Sequence, residues 1–112
     1  MIDPKSKLAK LIRRMKRLKT RPLVSIEFFK KWKQVRLDLY KTPEYQSFLV
    51  EVRTRAMFFC ERRCGKKGRH VHHKVRVYDN PDLVVSASNG EFLCIACHNK
   101  EHRDENKKRK AA

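Results

Sequence analysis

At 112 residues the chain has room for one small domain, and a 40% hydrophobic content supports a modest core. Its 29 Lys and Arg against 12 Asp and Glu give a formal net charge of +17, which asks for an anionic polymer as partner, either nucleic acid or an acidic membrane surface. Apolar runs of only a few residues exclude a bilayer span, and Met1-Ile2-Asp3-Pro4 lacks the apolar stretch of a secretory signal, so the expected setting is the cytoplasm. In chain order, Asp3 as N-cap and Pro4 at the first helical position open a helix whose Leu8, Leu11, Ile12, Met15 and Leu18 share one stripe. Arg21-Pro22 stops it. Ser25 caps a second helix, with Phe28, Phe29, Trp32 and Val35 inward and Lys30, Lys31, Lys33 and Arg36 outward. Thr42-Pro43-Glu44 starts a third, carrying Tyr45, Phe48, Leu49, Val52 and Ala56 inward and running to about Phe59. Beyond Cys60 the texture changes. Gly65 and Gly68 mark a turn, alternation over 70–77 reads as a strand, 79–82 is a loop, and Asn89-Gly90 is a further turn. A second strand near 91–94 precedes a last helix from about 95 to 107, which frays into the basic tail Lys107-Lys108-Arg109-Lys110.

All five histidines and all four cysteines lie between residues 60 and 102. Imidazole and thiolate are the best zinc ligands, and imidazole is the side chain best suited to proton transfer near neutrality. Cys60-Glu-Arg-Arg-Cys64 and Cys94-Ile-Ala-Cys97 are two close-spaced pairs, the arrangement that offers four soft donors to a tetrahedral structural Zn2+. In a reducing cytoplasm this reading outweighs disulfides. It staples the end of the third helix to the start of the last, and it says nothing about activity. His98 and His102 stand at i and i+4, one helical turn apart, as two ligands of one metal would. From the residues alone, His98 could instead join the cysteine cluster, and His70 could be purely structural.

The segment His72-His73-Lys74, Pro81-Asp82-Leu83, Asn89, Cys94-Ile-Ala-Cys97-His98 and His102 resembles the HNH endonucleases, in particular their small phage-type members. The resemblance covers about residues 43–103. It implies an α+β fold: a ββα-metal (His-Me finger) core stapled by the four-cysteine zinc site and preceded by basic α-helices. Together with the charge pattern over 1–42, which the resemblance does not cover, this gives the domain organisation 1–42 basic helical extension, 43–106 nuclease domain, 107–112 basic tail. The site residues follow from the same resemblance. His72 is the third ligand beside His98 and His102, where most of the family carries Asp and colicin-like nucleases carry His. His73 and Asn89 are the catalytic pair, His73 as general base and Asn89 as the residue that ties down the loop so that the base is aimed. Lys74, Arg76 and Arg103 are the DNA-binding cations. Adjacent strand residues face opposite sides, which separates the roles of His72 and His73. One catalytic divalent metal is implied, Zn2+, Ni2+, Mn2+ or Mg2+, with three neutral imidazoles favouring the softer ions.

The function that follows is a metal-dependent DNA endonuclease using a one-metal mechanism, in a phage packaging or mobile-element context. Its partners would be double-stranded DNA and phage packaging proteins, with no membrane and a monomer favoured. Over positions 1–41 the chain carries 14 Lys and Arg against 3 acidic residues, an excess that repels itself without a polyanion. The competing function is a zinc-stapled nucleic-acid-binding protein without catalysis, for which a general base at His73 would have no use.

Overall fold

Ser6, not Asp3, caps the first helix: its hydroxyl accepts the Ala9 N–H at 3.1 Å, while Asp3 accepts the Lys5 N–H at 2.9 Å in a preceding turn. The computed structural model describes residues 2–20 and 25–111, so the expected stop at Arg21-Pro22 lies outside the described residues. Helix α1 (Lys7–Thr20) buries the expected stripe, with Leu8 and Met15 fully inside. Helix α2 (Ser25–Tyr40) packs beside it through Trp32, Val35 and Leu39. Phe29, expected inward, is instead 67% exposed. The buried stripe runs 28, 32, 35, 39, and residue 29 stands about 100° around the helix from it. Phe28 is half-buried and stacks on Trp32 at 5.7 Å.

Thr42 caps helix α3 (Pro43–Arg55) by accepting the Tyr45 N–H, with Pro43 in the first turn where its missing N–H costs nothing. The helix ends about four residues before the expected Phe59, because Met57 and Phe58 take left-handed backbone (φ 53° and 65°). The Phe58 N–H caps the Arg53 carbonyl at 3.0 Å, and the Phe58 carbonyl accepts the Gly68 N–H at 3.0 Å. The chain is thereby turned into the cysteine segment.

Strand β1 (His70–His73) pairs antiparallel with β2 (Gly90–Leu93), His73 opposite Gly90 and His70 opposite Leu93. β1 stops four residues short of the expected 77. Asn89 takes the N–H and C=O of Val75 into its own amide, leaving no ladder to extend. The connection carries two 3-10 turns, Pro81–Leu83 and Ala87–Asn89. Helix α4 (Ile95–Ala111) runs through the basic segment without fraying, since cations suit a helix C-terminus and no breaker intervenes.

One apolar cluster joins Leu8, Met15 and Val35 to Phe48, Val52, Val84 and Phe92, so the two basic helices are packed into the core that supports the hairpin. A second, small cluster of Cys60, Leu93 and Cys94 seals the cysteine end. The architecture is the expected α+β one, a two-stranded antiparallel sheet with helices around it. Among the described residues, no helix is long and apolar enough to cross a membrane.

Candidate active site and metal centre

The loop after α3 presents Cys60 and Cys64, and the end of β2 with the first turn of α4 presents Cys94 and Cys97. Left-handed Arg63 (φ 58°) and Gly65 (φ 79°) reverse the chain between them, and the Cys60 N–H donates to the Lys66 carbonyl at 2.9 Å. All four Sγ atoms lie within 4.8 Å of one another, with Cys64 and Cys94 3.6 Å apart. Four sulfurs on one tetrahedral Zn2+ at about 2.3 Å would be about 3.8 Å apart, so the cluster fits zinc. The Cys97 N–H, 3.5 Å from Cys94 Sγ, leads the influences that draw the Cys94 thiol down to about 6, while Cys94 in turn pushes the Cys97 thiol up to about 12, so the low value marks one thiolate shared by the cluster. Arg62 locks this loop to the hairpin and α4 through Glu91 (2.8 Å) and Glu101 (2.5 Å).

A second constellation lies between β1 and α4. The buried His72 meets His98 and His102, and one donor nitrogen from each falls within 4.8 Å of the others. Helical periodicity brings the Nε2 atoms of His98 and His102 to 3.1 Å. His98 is therefore placed with the histidines and the cysteine cluster is complete without it. His70 is exposed, with its ring stacked on His98 at 4.5 Å. The site's chemistry suits a divalent cation: nitrogen donors converge from a hairpin and a helix, and Glu105 Oε1 adds a carboxylate 3.3 Å from His72 Nε2.

His73 points away from that triad and packs in parallel against Phe48 (ring centroids 5.3 Å). Its Nε2 lies 3.0 Å from the Val84 carbonyl. A carbonyl only accepts, so Nε2 carries the proton and Nδ1 keeps its lone pair. Burial, opposed by the Val84 hydrogen bond, holds the His73 pKa below the usual imidazole value, so the ring is neutral at pH 7. Asn89 is buried beside it. Its Oδ1 accepts from Val75 N–H (2.8 Å), and its Nδ2 donates to the carbonyls of Val75 (3.1 Å) and Leu83 (3.4 Å). The amide thus fixes the loop whose next residue, Val84, receives the His73 proton donor.

His72, His73, His98 and His102 all line one cleft of about 370 Å³. Its far wall is α2, through Trp32, Arg36 and Tyr40, three residues on one helical face. Of the expected DNA-binding cations, Arg76 borders the cleft but pairs with Asp79 at 2.9 Å, while Lys74 stands with it along an adjoining groove. Arg103 is exposed on α4, outside the lining of either. Sequence reasoning missed Glu105 and the α2 wall. Glu105 had a signal, lying seven residues after His98 and three after His102 on one helical face. The wall had none, because it depends on how α2 docks.

A comparison with curated proteins finds no match. Among solved structures, the fold is similar to the crystal structure of the HNH endonuclease of deep-sea thermophilic bacteriophage GVE2, which holds a manganese ion. That likeness has a TM-score of 0.65 at 18% identity, covering 77% of this chain and 98% of the phage chain. The sequence profile of the HNH endonuclease family matches residues 60–104, the span that holds both donor clusters, His73 and Asn89. Over residues 60–104 the chain thus matches the HNH endonuclease family, and its fold is similar to that of a phage HNH endonuclease.

Proposed function

We propose that the protein is an endonuclease of double-stranded DNA, with His73 as general base and His72, His98 and His102 holding a single catalytic metal. The observation that carries this reading is the state of His73. One nitrogen is committed to a main-chain carbonyl, the other is left basic, and the ring borders the cleft that the histidine triad lines. A base needs a lone pair at neutral pH and a fixed direction, and the Val84 carbonyl together with the Asn89 clamp supplies both. Asn89 is a positioning residue in this reading, with all its amide bonds directed to the backbone.

In the reaction, His73 Nδ1 accepts the proton of the attacking water. The cleft's cations, Arg36 and Arg76, with Lys74 along the adjoining groove, hold the DNA phosphates, and Arg103 adds an exposed cation on α4. His72, His98 and His102 would hold a divalent metal, which would supply charge neutralisation at the scissile phosphate and at the leaving oxygen. Zn2+, Ni2+, Mn2+ and Mg2+ are the candidates, and the manganese of the phage enzyme supports Mn2+. The four cysteines hold a structural Zn2+ that fixes α4 against the hairpin. Residues 43–106 carry the chemistry, 1–42 buttress it, and 107–112 add positive charge to its end. The similarity to a phage enzyme supports a phage setting; a monomer working beside packaging proteins in a host cytoplasm is part of the same proposal.

The test is nicking of supercoiled plasmid by purified protein across a panel of divalent metals, with His73→Ala in parallel. The variant should lose on the order of a hundred- to ten-thousandfold in rate while keeping its active-site metal and its DNA affinity. Absence of nicking by the parent with every metal would leave the zinc-stapled binding protein as the function. Loss of metal from His73→Ala, with retention in His72→Ala, would exchange the two roles.

A further inference from the structure

The histidine triad has a carboxylate neighbour that its spacing alone does not require. Glu105 follows His98 by seven residues and His102 by three, so all three leave α4 on the same face. Its Oε1 stands 3.3 Å from His72 Nε2 and its Oε2 4.0 Å from His102 Nδ1. Two groups of donors within 4.8 Å of one another share His72, one with His98 and His102 and the other with Glu101 and Glu105, so Glu105 must swing from its resting position to reach an ion held by all three histidines. Glu101 is already engaged by the Arg62 guanidinium at 2.5 Å, which leaves Glu105 as the carboxylate facing the site.

The charge balance is equally specific. The Glu105 side chain is only 21% exposed; within 4.0 Å it meets the two imidazoles, while Arg76, Lys74 and Lys108 stand farther off along its groove. The cations along the groove offset part of the carboxylate's charge, but the groups in direct contact with it are metal-ligating imidazoles. Two donors bound side by side on one ion at about 2.1 Å are about 3.0–3.4 Å apart, the separation seen for His98 with His102 and for His72 with Glu105.

We propose that Glu105 is the oxygen ligand of the catalytic metal, so that the site is a three-histidine, one-carboxylate set. Resting on the metal-site reading above, this inference changes what the site selects. Three neutral imidazoles favour zinc and nickel; an added anionic oxygen recovers affinity for harder ions, manganese above all.

The test is calorimetric titration of Mn2+ and of Ni2+ into the zinc-stapled full-length protein, comparing the parent with Glu105→Gln, Glu105→Asp and His98→Ala. Gln preserves shape and can still accept a hydrogen bond from a His72 N–H, but it has no charge. The expected result is a Mn2+ Kd at least tenfold weaker for Glu105→Gln, about the lower bound for losing a metal-site partner, with Ni2+ weakened much less. Glu105→Asp should recover part of the Mn2+ affinity. Unchanged Mn2+ affinity in Glu105→Gln, with His98→Ala losing it, would overturn the Glu105 assignment alone. Equal losses for both ions would make Glu105 a residue that positions His72, and would also overturn it. A parent that binds neither ion would overturn the histidine site itself. Melting curves of the zinc-stapled variants without added Mn2+ or Ni2+ check that each substitution in α4 leaves the fold intact.

Discussion

Asn89 shows how one side chain sets the geometry of another without touching its chemistry. Its three amide hydrogen bonds hold the 75–83 loop, and the next residue's carbonyl fixes His73. Asn89→Ala strands the Val75 N–H and two carbonyls, a cost of about 1–3 kcal/mol. It should lower the cleavage rate to a value between the parent and His73→Ala, with KM for DNA unchanged, because the base remains but is misaimed. Asn89→Asp can still accept from Val75 but cannot donate to the carbonyls, so it should not rescue the rate. A KM rise instead would place Asn89 in DNA binding. Its neighbour Gly90 is needed for a different reason: a Cβ there would stand 2.7 Å from Val52 and 2.9 Å from Phe48. Gly90→Ala should cost about 1–3 kcal/mol by thermal melting, since both obstacles are core side chains. At this scale the sequence is readable where a period connects residues, as with His98 and His102. The protonated nitrogen of His73 was not readable, because its partner is a main-chain carbonyl eleven residues away.

The helices were legible as stripes, and the five positions expected to be buried on α1 are buried. Their ends were less so. The left-handed Met57 and Phe58 cut α3 short, although neither residue type advertises that backbone, and a side-chain clamp cut β1 short. What α1 and α2 do was also hidden in the charge count. Leu8 and Met15 lie in the cluster that continues to Phe48 and Phe92, so α1 is structural before it is a DNA grip. Leu8→Ala should therefore cost about 2–5 kcal/mol in denaturant unfolding. A loss below about 0.5 kcal/mol, the size of a surface substitution, would mean that α1 is detachable. The cysteine loop follows the same logic at the other end. Replacing Cys60, Cys64, Cys94 and Cys97 by Ser should release one zinc per chain and lower the melting temperature sharply, because metal binding there is folding energy. Parent-like melting would remove the staple.

Across the whole molecule the charge has a shape. The protein is a slab of 44 × 37 × 19 Å, and its cleft opens between α2 and α4, both of which carry exposed cations. Arg14, Arg17 and Lys31 line a groove at the junction of α1 and α2, while Lys108 borders the groove beside Glu105 and Lys74. A duplex seated at the cleft would meet cations from both directions. If about six phosphates are engaged, affinity should fall about a thousandfold between 50 and 200 mM salt. Two double variants, Arg14→Gln with Arg17→Gln and Lys107→Gln with Lys108→Gln, separate the two flanks. Each should lower the slope of log affinity against log salt by about 0.9 for every phosphate it no longer neutralises, while cleavage at low salt persists because the cleft is intact. Competition against unrelated duplexes should show the parent binding them with similar affinity, since phosphate contacts carry no sequence information. A slope that only one pair changes would confine the DNA to that flank. A slope that neither changes would mean the grip lies in the cleft itself, on Arg36, Lys74 and Arg76.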